Sequence, residues 1–142
     1  MIQIRRSALV RHSPQRMFDL VNDVEAYPRR FAWCSDSAIL DRGEDRMTAR
    51  LEVRLGALTQ SFTTSNTLTP PGRIGLELVE GPFRALQGQW TFLALGDSGS
   101  KVALALDFDY AGFMAPVLRS GFQKLADRMV DEFCTEADRI YA

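Results

Sequence analysis

The 142-residue chain predicts an α+β fold: a curved, seven-stranded antiparallel sheet wrapped around one long C-terminal helix, with two short helices between the first and second strands. Three observations predict it. From Met114 the large apolar residues recur as Met114, Leu118, Phe122, Leu125, Met129, Phe133, Ala137 and Ile140, in steps of three or four, the period of one helical face. Before Met114 the chain falls into short runs that alternate apolar and polar residues, the period of half-buried strands. Short turns join those runs, and strands joined by short turns pair antiparallel.

Each element has its own local reason. Ile2 to Arg11 reads as the first strand. Ser13 offers an N-cap oxygen and Pro14 suits the first helical position. Met17, Phe18, Leu20 and Val21 give that helix a buried face. Asn22 and Asp23 interrupt it, and a second short helical segment follows that Pro28 limits. Trp33 to Leu40 is the second strand, closed by the turn Arg42-Gly43-Glu44-Asp45. On the third, Met47, Ala49, Leu51, Val53 and Leu55 face one way, and Arg46, Thr48, Arg50, Glu52 and Arg54 the other. Gly56 marks a tight connection.

The fourth strand puts Phe62 and Leu68 on one face, with Gln60, Thr64 and Asn66 between them. Its other face is hydroxylic throughout: Thr59, Ser61, Thr63, Ser65, Thr67 and Thr69. Pro70-Pro71-Gly72 turns the chain. Ile74, Leu76 and Leu78 alternate on the fifth strand, and Gly81-Pro82 turns it again. Leu86, Gly88, Trp90 and Phe92 share a face of the sixth. After the loop Gly96-Asp97-Ser98-Gly99, the seventh presents Val102, Leu104, Leu106, Phe108 and Tyr110. On the closing helix Val117, Val130 and Tyr141 widen the apolar stripe. Arg119, Lys124, Asp127, Arg128, Asp131, Glu132, Glu136, Asp138 and Arg139 form its solvated side. At about 1.5 Å per residue the helix is roughly 40 Å long. With no internal repeat, low-complexity tract or linker, residues 1–142 read as a single domain.

The totals narrow the function. Hydrophobic and charged fractions of 46% and 25% are those of an ordinary globular chain. A formal net charge of -1 gives no global field for nucleic acid, and no DNA partner is expected. Cys34 and Cys134 lack metal spacing, and the single histidine, His12, rules out a His-rich metal site. No signal peptide or membrane-spanning run is legible, so the expectation is a cytoplasmic protein, peripheral at most on the inner membrane. His12, between a strand and a helix cap, is expected to be exposed. Asp107 and Asp109, alternating with Phe108, are expected to point outward. No residue is assigned a catalytic role.

Two constellations carry binding chemistry. Phe62, Leu86, Trp90, Phe92, Phe108, Tyr110, Phe122 and Leu125 face inward between sheet and helix. They either fill a core or line a pocket, and Gly88 and Gly121, which remove side chains there, favour the pocket. Thr64 and Asn66 share the inward face and supply polar groups, which must pair with each other, with water or with a ligand. Outside, Arg46, Arg50 and Arg54 line one face of a single strand, a pattern suited to phosphate contact or simply to a solvated surface.

Two stretches then matter together. Val21-Asn22-Asp23-Val24-Glu25-Ala26-Tyr27-Pro28 runs on to Phe31-Ala32-Trp33-Cys34. Gly81-Pro82-Phe83-Arg84-Ala85-Leu86-Gln87-Gly88-Gln89-Trp90-Thr91-Phe92 follows later, with Gln60-Ser61-Phe62-Thr63-Thr64 ahead of it. With the strand order, these resemble the coenzyme Q-binding, START-like family, which sits in the polyketide cyclase-like, helix-grip superfamily and includes bacterial ribosome association toxins. The resemblance covers nearly the whole chain. It departs where the family usually shows Phe, Leu and Pro before the Trp-Cys pair; here Arg30, Phe31 and Ala32 stand there.

The resemblance implies a helix-grip fold with a cavity under the terminal helix. It also implies a non-enzymatic carrier or chaperone for a polyprenyl quinone (ubiquinone) or similar lipid, supporting respiration. The expected cavity lining is Phe62, Thr64, Asn66, Leu86, Trp90, Phe92, Phe108, Tyr110, Phe122 and Leu125. The expected mouth is Phe31, Trp33, Phe83, Phe113, Met114 and Leu118. No cofactor is required, although a bound ubiquinone or other lipid is compatible. The bacterial toxin branch implies an alternative: docking on the large ribosomal subunit, which blocks subunit association, with Arg46, Arg50 and Arg54 as the contact.

Overall fold

The computed structural model describes residues 1–113 and 115–141. Strand β1 (Ile2–Val10) leads into helix α1 (Pro14–Asn22), a 3-10 turn (Val24–Ala26) and helix α2 (Tyr27–Arg30). Six strands follow: β2 (Cys34–Arg42), β3 (Arg46–Leu55), β4 (Leu58–Thr69), β5 (Arg73–Glu80), β6 (Phe83–Leu95) and β7 (Gly99–Tyr110). Helix α3 (Ala115–Ile140) closes the chain. The sheet has seven strands in the order β1-β7-β6-β5-β4-β3-β2, with antiparallel neighbours throughout. This is the expected architecture, with the first strand brought round to pair with the last. Met114, predicted to open the helix, lies outside the described residues.

Irregularities in pairing bend the sheet. Register shifts fall at Cys34/Asp36 and Ile39/Asp41 on β2, at Thr63/Thr64 between β4 and β5, and at Phe83/Ala85 between β6 and β7. An extra residue on one strand bends it and raises its twist. The bent sheet grips α3, whose Leu118, Phe122, Leu125, Ala126, Val130, Phe133 and Ala137 are buried. Ser13 caps α1 as predicted, its Oγ accepting from the Arg16 backbone N–H at 3.2 Å.

Several local expectations fail for identifiable reasons. Pro28 does not limit the second helical segment; it stands in the first turn of α2, where a missing N–H costs nothing. Val117 does not widen the buried stripe and is 56% exposed, because it sits one residue short of the inward Leu118. Glu136 is buried rather than solvated, with Arg139 Nε donating to its Oε1 at 2.5 Å. His12 is only 6% exposed, and its Nε2 lies 2.7 Å from Asp138 Oδ1 near the end of α3.

The two inward glycines do not open space. A Cβ on Gly88 would stand 2.2 Å from the Ala105 carbonyl oxygen, so the β7 backbone already occupies that position. A Cβ on Gly121 would meet Leu55 Cβ at 3.1 Å. Both glycines serve close approach of backbones. No described helix is long and apolar enough to cross a membrane.

Candidate functional site

Aromatic side chains gather in two clusters along α3, one around each of two phenylalanines, Phe122 and Phe133, about three turns apart along the same stripe. Phe122 packs against Phe62, Phe83, Phe108 and Tyr110, with ring centroids 5.8, 5.0, 4.8 and 5.9 Å away. Phe133 packs against Tyr27, Phe31, Trp33 and Trp90, at 5.4, 4.7, 6.3 and 5.2 Å. Between the clusters the helix offers Leu125 and Met129, which leave the space under them incompletely filled. A cavity of about 100 Å³ remains there.

Its walls come from four regions. Phe122, Leu125, Met129 and Phe133 of α3 form one side. Ala49, Leu51 and Val53 of β3 and Phe62, Thr64 and Asn66 of β4 form a second. Ile74, Leu76, Leu86, Trp90, Leu104 and Leu106 of β5 to β7 form the third. Val21, Asn22, Val24, Tyr27 and Trp33 close the fourth. The lining is almost wholly apolar. Thr64 Oγ1 donates to Asn66 Oδ1 at 2.7 Å, so the polar pair on β4 satisfies itself in part. Trp33 Nε1 and Asn22 Oδ1 are buried with no partner among the described residues.

The sequence expectation divides against this geometry. Phe62, Thr64, Asn66, Leu86, Trp90, Phe122 and Leu125 line the cavity. Phe92, Phe108 and Tyr110 do not; they are buried in solid packing, Phe92 over Phe18 and the other two in the Phe122 cluster. The expected mouth also changes. Phe31, Phe83 and Leu118 are buried core residues, and Trp33 is a cavity wall. Phe113 is 96% exposed and stands apart from the cavity, and Met114 lies outside the described residues. Sequence reasoning missed Val21 and Asn22 of α1, Val24 of the 3-10 turn and Tyr27 of α2, and it did not assign Ala49, Leu51, Val53, Ile74, Leu76, Leu104, Leu106, Met129 and Phe133 to the lining. The strand alternation and helical spacing of most of these were the available signal.

Ionisation near the cavity follows burial. Desolvation pushes the Cys34 thiol up to about 11, against backbone and charge influences of either sign, and it raises the Tyr27 and Tyr110 phenols further. These groups stay neutral across physiological pH. No group of three or more His, Cys, Asp or Glu side chains gathers to hold a metal among the described residues.

The outer face of β3 is separate. Arg46 and Arg54 are exposed and Arg50 is half-buried. Arg50 donates to Ser61 Oγ at 3.3 Å, and Arg54 donates to the Ala32 carbonyl. None of the three forms an ion pair among the described residues. Asp107 and Asp109 are instead held by Arg5 at 2.9 Å and Arg119 at 2.8 Å.

With this geometry in hand, comparison with known proteins is informative. Residues 10–134 match the family model described as polyketide cyclase/dehydrase and lipid transport. The chain is 45% identical over 139 residues to the ribosome association toxin RatA of Pseudomonas aeruginosa, covering 97% of this chain and 96% of that protein. It is 28% identical over 140 residues to the mitochondrial coenzyme Q-binding protein COQ10 of Drosophila melanogaster, covering 94% of this chain and 57% of that protein. The crystal structure of the ZhuI aromatase/cyclase from a Streptomyces species superposes with a TM-score of 0.88 at 17% identity, covering 99% of this chain and 96% of that one. A family match over most of the sequence and one shared fold agree: the chain belongs to the polyketide cyclase/dehydrase and lipid transport family, with a START-like helix-grip fold.

Proposed function

We propose that this chain acts as a ribosome association factor of the RatA type, docking on the large ribosomal subunit and hindering subunit joining. The observation that carries the reading is the 45% identity to a protein of that name across 97% of one chain and 96% of the other. The reading reverses the order expected from the sequence, where a quinone carrier came first. The cavity argues the same way: an engineered cavity of about 150 Å³ holds one benzene, and this one is about 100 Å³. A polyprenyl tail requires a far larger space.

The β3 arginines supply a contact for RNA phosphates. Their guanidinium groups are free of carboxylates among the described residues, so little has to be broken before they bind. The chain acts by binding, in the cytoplasm, and the aromatase/cyclase likeness at 17% identity speaks for the fold alone. The test is sucrose-gradient sedimentation of purified subunits with stoichiometric protein. The whole-ribosome peak falls and the chain travels with the large subunit. A chain left at the top of the gradient with an unchanged ribosome peak refutes the reading. Replacing Arg46, Arg50 and Arg54 together by Glu weakens the effect roughly tenfold or more.

A second reading has its own support. The apolar cavity and the likeness to COQ10 favour uptake of a small apolar group. At about 25 cal/mol per Å², burying roughly 100 Å² of apolar surface gives about 2.5 kcal/mol before association costs. Xenon, smaller than an aromatic ring and read through quenching of the tryptophan emission, tests it directly.

A further inference from the structure

On the outer face of the sheet the β3 arginines stand beside a second pattern. Residues opposite each other in an antiparallel pair share a face, so the register lays out rows. Arg46, Thr67, Gly75 and Gln89 form one row across β3, β4, β5 and β6. Thr48, Ser65, Glu77 and Gln87 form the row on one side of it, and Thr69, Arg73 and Thr91 the row on the other. Cations flank this area. Arg46 and Arg50 lie along β3, about 13 Å apart. Arg73 leans onto β6, its Nε donating to Gln89 Oε1 at 2.6 Å. Between them lie hydroxyls and amides. With Gln89 Oε1 taken by Arg73, its Nε2 is the free donor.

Three features select what this face can hold. Phe62, Phe83, Trp90 and Phe92, the aromatic residues of β3 to β6, all pack inward. Single-stranded nucleic acid is held by stacking on aromatic faces, and this face offers none. Gly75 keeps the middle row low. A Cβ there would meet Thr67 Cβ at 3.7 Å and the Arg73 guanidinium at 3.8 Å, ordinary contacts, and its φ is not positive. Neither packing nor backbone therefore demands glycine at this place. Glu77 is exposed and has no cationic partner among the described residues. Its carboxylate repels phosphate but accepts hydrogen bonds from a hydroxyl or a guanine amino group. Glu52 and Glu80 lie farther along the face, beside Arg50 and Arg54 or across Thr63. They leave the Arg46 row as the place where phosphates can approach.

Cations at the sides with hydroxyls, amides and an acceptor between them match one surface. The minor groove of an A-form duplex is wide and shallow, shows 2′-hydroxyls and base edges, and is bordered by phosphates. We infer that the outer face of β3 to β6 seats an RNA duplex through its minor groove, with phosphates on Arg46, Arg50 and Arg73 and 2′-hydroxyls on Thr67, Glu77 and Gln89. The inference rests on the ribosome-docking reading above. It adds the form of RNA and the side of it that is touched.

Fluorescence anisotropy with a labelled RNA duplex of about 16 base pairs tests it, against a DNA duplex of matching sequence and a single-stranded uridine tract. The RNA duplex binds roughly tenfold tighter than either. Its log K falls with log salt at a slope of about −3, and Arg46→Ala flattens that slope by about 1. Gly75→Leu raises the floor and weakens the RNA duplex about tenfold. Should that variant misfold, the near-isosteric Thr67→Val narrows the preference for RNA over DNA by about threefold and leaves the salt slope unchanged. Equal binding of RNA and DNA duplexes, preference for the single strand, or indifference to both substitutions overturns the inference. A chain that binds no duplex yet sediments with the large subunit also overturns it, and leaves the docking reading in place. A chain that does neither takes both down.

Discussion

At the scale of single residues, Phe133 bears the most packing, touching four other aromatic rings at one end of the cavity. Phe133→Ala removes those contacts and enlarges the cavity, so unfolding in urea should show a loss of about 3–5 kcal/mol. Cys34 makes a pH-dependent contribution. Burial lifts its pKa from 9.0 to about 11, so the folded chain holds this proton more tightly than the unfolded chain does. Its contribution is complete below about pH 9 and is lost as pH rises toward 11. Unfolding free energies of wild type and Cys34→Ala, compared on both sides of this window, should converge as the solution becomes more alkaline. His12 shows why some residues defeat a linear reading. Arg11 and Ser13 beside it signal exposure, yet the chain buries it under Asp138, 126 positions away.

Elements were more legible than residues, because each strand and the long helix carry their own period. Seven strands and the terminal helix follow from alternation on β3, β5 and β7 and from the three-four spacing of α3. The short helices were harder. Pro28 reads equally as the end or the beginning of a helix, and only the path of the neighbouring 3-10 turn decides. The inward glycines misled in a more instructive way, since a missing side chain signals either free space or a neighbour already in it. At Gly88 the neighbour is rigid backbone, the Ala105 carbonyl at 2.2 Å from a new Cβ. At Gly121 it is the Leu55 side chain at 3.1 Å, which can shift slightly, and alanine adds helix propensity of about 1 kcal/mol. Gly88→Ala should therefore lose at least about 1–3 kcal/mol, and Gly121→Ala clearly less. Thermal melts of the pair check the order, and equal losses would show that strand β7 yields as readily as a side chain.

For the molecule as a whole, the decisive feature is that β3 serves two surfaces at once. Its period of two sends Ala49, Leu51 and Val53 into the cavity and Arg46, Arg50 and Arg54 to the outside. Sequence alone displayed both faces but not the size of the space beneath, which depends on how Leu125 and Met129 sit between two aromatic clusters. That size now orders the two functions. If ribosome docking uses only the outer face, the inner one can be altered without affecting it. Ala49→Leu places a larger side chain into a space of about 100 Å³. It should abolish xenon uptake, read by tryptophan emission, and leave the sedimentation effect on ribosomal subunits intact. Glu at the three arginine positions should do the reverse. Loss of both activities in a folded Ala49→Leu variant would mean that filling the cavity reshapes the strand, and that a bound ligand controls docking through β3.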